Sequence, residues 1–373
     1  MYDLNKPIII NWELNNICNL MCPQCARNTI KDGVLQWKVD GSGQFSGTTL
    51  NDADNSLETF KIAFNNIGNV GKVKFIGSVS ENVASKDFAK ICNFIIDSSS
   101  HVHVCTNGSL RSKKWWADLG KIFNRDNKSI VRFTLDGLRD ELSLYRIGAD
   151  YNKIIENARA YISTGGSASW KMLVFKHNQH QIEEAKSLAK EYNFDHFTLI
   201  YSNRTHNLNK PFSYKGKDYN LLPQDILPEW DEKLKKRDKY ASGDELEEIS
   251  CKFKVKNQIY VDHTNRVWPC CHIPNKKNML GNQKFYDDYY YDKSNNLLEK
   301  TLSEILHDNF YELLQMSWTK KSACLDRCKS TCSVTQDYSK SSKQDGLNMI
   351  ASSSRLRLGK ARDVGAQLSQ EVW

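Results

Sequence analysis

The sequence predicts an α/β protein organised around a parallel sheet, and three observations predict it. Short apolar runs recur along the first two hundred or so residues. Between them lie stretches whose apolar residues fall three and four apart. Strands alternating with helices imply parallel pairing and right-handed crossovers. The chain is also long enough: 373 residues, 40% of them hydrophobic, can bury a large core and a smaller unit beside it.

The strands are expected at residues 8–12, 73–76, 102–105, 130–135, 170–175 and 196–201. The helices between them are "SLETFKIAFNNI", "ASKDFAKICNFII", "SKKWWADLGKIF", "YNKIIENARAYI" and "HQIEEAKSLAKEY". In the last, Ile182, Ala185, Leu188 and Tyr192 share one face. This unit spans residues 1–205. The stretch 206–250 is polar, carries Pro211, Pro223 and Pro228 and a charged helix "PEWDEKLKKRDKYA", and reads as a linker. Residues 251–335 form a second, cysteine-bearing unit. Within it "NQIYVDHTNRVWPCC" reads as a hairpin turning at Thr264-Asn265, because Asn tolerates the left-handed conformation. "TLSEILHDNFYELLQ" reads as one helix. The Ser-, Lys- and Arg-rich tail, 336–373, is expected to be disordered, with its last twenty or so residues a non-native extension. No internal repeat is visible.

Composition narrows the function. No apolar run reaches the length of about 18 residues that a membrane span needs. The N-terminus "MYDLNKPIII" lacks the features of a signal peptide, so the expected compartment is the cytoplasm, where thiols stay reduced. Eleven cysteines there point to metal or cluster binding rather than disulfides. The net charge of +8 permits an anionic partner such as nucleic acid without demanding one.

The cysteines are grouped. Cys18, Cys22 and Cys25 stand as C-x3-C-x2-C in "NNICNLMCPQCARN", just after the first strand. A closed zinc site wants four ligands, and a 4Fe–4S cluster usually has four cysteines. With three, one iron keeps an open position for a small ligand. A zinc site completed by a distant residue is the other reading. In parallel sheets chemistry collects at the carboxyl ends of the strands, so the residues after each strand are the ones to read.

Here the sequence resembles the radical S-adenosylmethionine (radical SAM) enzymes. "IIINWELNNICNLMCPQC" is similar to their strand and motif, with Glu13 and Asn16 ahead of the cysteines. The resemblance implies a partial (β/α)6 TIM-like barrel with a small cysteine-rich α+β domain at its C-terminal end. It implies a 4Fe–4S cluster on Cys18, Cys22 and Cys25 whose open iron chelates S-adenosylmethionine. Reduction then yields a 5′-deoxyadenosyl radical that abstracts hydrogen from a substrate. Gln24 stands where the family usually has an aromatic residue near the adenine. In "FIGSVSENVAS", Glu81 takes the place of the acid that meets the methionine amino group, although Ser80 and Asn82 replace the usual Gly and Pro. Thr106-Asn107-Gly108 matches a Thr-Asn-Gly turn. In "FTLDGLRDELSLYRIG", Asp136 would lie at the rim and Arg146 would pair with the cofactor carboxylate, which an arginine fork suits. Asn178 in "VFKHNQHQ" also matches. His177 and His180 in that loop read as solvated.

Cys251 and Cys270, with Asn265 at a glycine position between them, resemble the opening of a SPASM or twitch auxiliary-cluster domain. Only Cys324, Cys328 and Cys332 follow. The resemblance implies one auxiliary 4Fe–4S cluster on Cys251, Cys270, Cys328 and Cys332, with Cys271 and Cys324 as spares; zinc on the same four thiolates is the alternative. Cys92 lies in a helical pattern and reads as a buried small hydrophobe. The implied partners are an electron donor such as flavodoxin or ferredoxin and a substrate that is a peptide, a protein side chain, or a small molecule or nucleoside. No clear winged-helix module for a precursor peptide is read ahead of the first strand, which lowers the expectation of a peptide substrate without removing it. A different class of protein remains in view: a zinc-stabilised nucleic-acid binder, using the basic balance and the aromatic "FYDDYYYDKS" for stacking.

Overall fold

The computed structural model describes residues 2–37, 54–201, 210–225, 249–274 and 294–319, with Tyr289, Cys324, Leu325, Cys328 and Cys332. The charged helix expected at 228–241 and the tail from 336 lie outside the described residues.

The chain opens with β1 (Ile8–Trp12), followed after the cysteine loop by β2 (Asn28–Lys31) and β3 (Val34–Trp37). There follow α1 (Leu57–Asn65), β4 (Val70–Phe75), α2 (Phe88–Asp97), β5 (His101–Thr106), α3 (Lys113–Phe123) and β6 (Ile130–Thr134). Next come α4 (Asp140–Tyr145), α5 (Tyr151–Ser163), β7 (Ala168–Val174), α6 (Ile182–Glu191) and β8 (His196–Tyr201). The remaining elements are β9 (Phe212–Tyr214), β10 (Lys217–Tyr219), α7 (Lys252–Val255), β11 (Gln258–Val261), β12 (Val267–Trp268), α8 (Leu302–Leu306) and α9 (Asn309–Trp318).

The six strands read from the sequence lie side by side in the order β1-β4-β5-β6-β7-β8, all parallel. Alternation gives each strand one apolar face, and that face meets the helices. Phe60 of α1 packs near Trp12 and Phe75; Trp116 of α3 meets Phe133 and Tyr161. Phe75, Phe88, Trp116, Phe133, Tyr161 and Trp170 are fully buried. The helices start where polar side chains satisfy their first N–H groups: Ser56 accepts from Thr59 N, Ser112 from Trp115 N and Asp150 from Lys153 N. Gly120 lets α3 approach α5, because an added Cβ would meet Tyr161 O and Thr164 Oγ1.

Three features differ from the sequence expectation or were not read from it. The hairpin after Cys251 does not stand apart: β11 pairs parallel with β1, Ile9 opposite Gln258, and extends the main sheet to eight strands with β12 at its edge. Its turn is at the expected place, with Asn265 left-handed at φ +63°. A second sheet of four strands, β10-β9-β3-β2, joins a hairpin inside the stretch read as linker to the hairpin that follows the cysteine loop. Finally, the single helix expected at 301–315 is two helices, because Asp308 leaves helical geometry and its carboxylate caps Phe310 N at 2.9 Å.

Candidate active site

The cysteine loop runs from Glu13 to Arg27 across the carboxyl ends of the strands. Its backbone and the Asn19 side chain hold it there. Leu14 N donates to Asn82 Oδ1 at 2.7 Å, and Glu81 N donates to Ile17 O at 2.7 Å. Asn19 is tied to Ser109 and Asn107 after β5, and Met21 N donates to Ile147 O after α4. Cys25 N donates to Cys22 O at 3.0 Å, closing a turn between the last two thiols. Cys18, Cys22 and Cys25 are all reduced and partly exposed. Each lies close enough for its charge to bear on another. Burial, then Glu81 and Cys25, push the Cys18 thiol up to about 12, so a bound cation is what would favour its thiolate.

The acids and amides read from the sequence gather beside this loop. Glu81 is 4% exposed. Its Oε2 accepts from Asn107 N at 2.7 Å, while Oε1 is buried with no hydrogen-bond partner. Burial raises its pKa, against the Asn107 N–H and the Thr106 hydroxyl. A half-satisfied buried carboxylate beside Cys18 is a receptor for an ammonium group. Asn107 Nδ2 lies 3.9 Å from Cys18 Sγ. Thr106 is buried, and its Oγ1 accepts from Gly108 N to shape the turn.

Asp136 follows β6 and is 1% exposed. Its Oδ1 accepts from Leu173 N, and its Oδ2 lies 2.7 Å from Arg146 Nε. Arg146 is thus ion-paired with Asp136, and its charge bears on Cys22. Burial works to lower the Arg146 pKa, and Asp136 more than reverses this, so the guanidinium stays charged. Asn178 is fully buried and serves the backbone: Oδ1 accepts from Phe175 N, and Nδ2 donates to Asp136 O and Leu173 O, each at 2.8 Å. Gln24 Oε1 accepts from the Tyr145 hydroxyl at 3.4 Å.

Three groups have placements that the sequence reading did not assign. Glu13 is completely buried and accepts from Ser78 N and the Ser80 hydroxyl, so it shapes the loop that carries Glu81. That loop turns at Gly77, φ +70°, where a Cβ would collide with Ser80 O. His177 is not solvated: it stacks on Phe175 at 5.4 Å, and both ring nitrogens are buried without partners. Burial lowers its pKa to about 4, so the ring is neutral. Arg27 is 3% exposed, donates to Asn16 O and Val79 O, and lies 4.8 Å from the Trp37 ring centre. Only the pairing of β2 with β3 brings that tryptophan over it.

The second cysteine set also converges. Cys251, Cys270, Cys324, Cys328 and Cys332 are between 5% and 9% exposed. Cys251 lies against Cys332, and Cys328 against Cys324, with Cys270 near both pairs. Mutual contact and burial push the thiols of Cys251 and Cys328 far up. Cys271 bears on Cys270 but turns the other way, toward Ser78 and Glu13; burial raises it to about 11. Among the described residues no three His, Cys, Asp or Glu side chains converge on a single-ion position.

No family model matches the chain. A curated relative, the mycofactocin maturase MftC of Mycobacterium ulcerans (strain Agy99), is 25% identical over 193 residues, 51% of this chain and 46% of that protein. The chain thus spans about half the length of that relative. The solved structure of Streptococcus suis SuiB superposes with a TM-score of 0.52 at 14% identity, covering 83% of this chain and 68% of that one. A structure of anSMEcpe with bound AdoMet aligns with a TM-score of 0.49 at 16% identity, over 84% and 81% of the two chains. The chain thus has the α/β fold that SuiB shares, with a mostly parallel sheet and a cysteine-rich C-terminal region. In sequence it is similar to the maturase MftC, on a match that covers about half of each chain.

Proposed function

We propose that Cys18, Cys22 and Cys25 hold a 4Fe–4S cluster, and that the protein cleaves S-adenosylmethionine there to abstract hydrogen from a substrate. The observation that carries this reading is the Glu81 carboxylate. It is buried beside Cys18 with one oxygen unpartnered, where a cofactor ammonium would complete it. When bound, the cluster and S-adenosylmethionine supply one electron, a broken carbon–sulfur bond and a 5′-deoxyadenosyl radical. The chain does the rest. Glu81, held by Asn107 N and the Thr106 turn, receives the amino group. Arg146, anchored through Nε by Asp136, offers its remaining guanidinium donors to the carboxylate. Gln24, Tyr145, Phe175 and neutral His177 wall the mouth and exclude water.

Cys251, Cys270, Cys328 and Cys332 hold an auxiliary 4Fe–4S cluster in this reading, with Cys324 close enough to substitute. Their burial and mutual proximity support a cluster better than scattered structural thiols. The maturase name of the relative supports a peptide substrate, a small molecule being the other possibility, and an electron donor such as flavodoxin or ferredoxin completes the cycle. The test is anaerobic reconstitution, reduction with dithionite, and mass spectrometry for 5′-deoxyadenosine. Wild type should form it, and the Cys18→Ala, Cys22→Ala, Cys25→Ala triple variant should not; equal formation by both overturns the proposal.

A further inference from the structure

Arg27 carries a buried charge that the chemistry proposed so far leaves unused. It lies two residues after Cys25 and is 3% exposed. One nitrogen, Nη1, donates to Asn16 O and Val79 O, which ties the start of the cysteine loop to the loop of Glu81. The other two, Nε and Nη2, are buried without a hydrogen-bond partner. The Trp37 ring lies over the guanidinium, 4.8 Å from its carbon. Pairing of β2 with β3 sets Trp37 there, opposite Asn28. Asn28 is tied back to the loop in turn, through its N to Cys25 O at 3.0 Å and its Nδ2 to Cys22 O at 2.8 Å. Hairpin and cysteine loop thus enclose the arginine together.

A buried guanidinium is costly, and proteins ordinarily set a carboxylate against it. Arg146 follows that rule, with Asp136 at 2.7 Å. Arg27 does not: among the described residues no carboxylate pairs with it. Two neutral carbonyls and a neutral ring leave its charge uncancelled, and an arginine stays charged even when buried. That charge reaches Cys18. Three thiolates gathered in a buried loop oppose the arrival of an electron. A nearby cation offsets them, and more strongly the less water lies between. We propose that Arg27 raises the reduction potential of the cluster on Cys18, Cys22 and Cys25 by supplying a positive charge that no acid offsets. This rests on the cluster reading above and deepens it. The step concerned is electron transfer alone: the cluster gains one electron, and a donor of the flavodoxin or ferredoxin class loses it. Arg27 is a positioning residue in that step, acting through the charge of the cluster and not on the substrate.

The test is a redox titration of the reconstituted full chain, followed by electron paramagnetic resonance. The signal that changes when S-adenosylmethionine is added belongs to the cluster with the open iron, which separates it from an auxiliary one. Arg27→Gln and Arg27→Met both remove the charge, and each should make reduction of that cluster at least about tenfold less favourable, a fall of about 59 mV for one electron. Arg27→Lys keeps the charge while losing the planar fork, and its potential should stay near that of wild type. The exposed Lys31→Gln should change nothing, because water screens its charge. The inference is overturned if the neutral variants keep the wild-type potential, or if Arg27→Lys or Lys31→Gln falls as far as they do. It is overturned too if neither neutral variant holds iron, which would make Arg27 a residue of loop assembly. The two readings fail differently. A wild-type signal that responds to S-adenosylmethionine but whose potential ignores Arg27 sinks this inference alone. Absence of any responsive signal in wild type sinks the radical reading and this inference with it.

Discussion

Glu13→Gln probes a carboxyl group that the fold buries completely beneath the loop carrying Glu81. Burial raises its pKa from the ordinary 4.5 to about 7, although Ser80 and Ser78 donate to it. The sign follows from linkage. Below pH 4.5 the group is protonated in folded and unfolded chains alike, and its stability contribution is fully present. Above 4.5 the unfolded chain releases the proton first, and the contribution is lost as pH rises through about 7. At about 1.4 kcal/mol per tenfold change in acidity, the span from 4.5 to about 7 amounts to about 3 kcal/mol. Glutamine keeps an oxygen to accept from Ser78 N and cannot ionise. Urea unfolding of the apoprotein at pH 5 and pH 8 measures the difference. Wild type should lose about 2 kcal/mol more than Glu13→Gln between these two values, less than the full span because the unfolded carboxyl is already largely ionised at pH 5. Parallel losses in the two proteins would mean that water or a cation reaches Glu13, and that its burial does not govern its charge.

Other perturbations separate structure from chemistry. Arg146→Ala should weaken S-adenosylmethionine binding by at least about tenfold, since removing one partner of a desolvated pair costs on the order of 2–5 kcal/mol; a titration at matched iron content reads it, and equal affinities would return Arg146 to a purely structural pair with Asp136. Reconstituted wild type should hold roughly eight irons, four for each cluster, and the Cys251→Ala, Cys270→Ala double variant about four; tightly bound zinc in place of the second four would refute the auxiliary cluster. Trp116→Ala, deep between α3, β6 and α5, should cost about 3–5 kcal/mol in denaturant unfolding, and a loss below about 1 kcal/mol would mean that the ring is not the core anchor described.

The alternation of β1, β4, β5, β6, β7 and β8 with their helices was legible because period 2 and period 3.6 are local properties of the chain. So was the spacing of Cys18, Cys22 and Cys25, and the turn at Asn265, where one residue's backbone preference suffices. That Glu81, Asn107 and Asp136 share one end of the sheet followed from a topological rule, that side chains after parallel strands lie together, while their choice came from the family resemblance. Tertiary structure alone decided what depends on partners far away in sequence. β11 reads as an ordinary hairpin strand, and nothing in "QIYV" says that it pairs with β1 some 250 residues earlier. β9 and β10 are three residues each and lie in a proline-bearing polar stretch, too short for a pattern. Asn178 matches a cofactor-binding position by motif, yet its amide is fully occupied by three backbone groups. His177 looks solvated in "FKHNQ" and is instead stacked and neutral, because burial belongs to the neighbours that fold over a side chain. The basic residues of the strands lie between these cases. Lys72, Lys74, His103, Arg132 and Lys171 alternate with apolar neighbours in the sequence, but which face of the sheet they share is set by the side on which the helices pack.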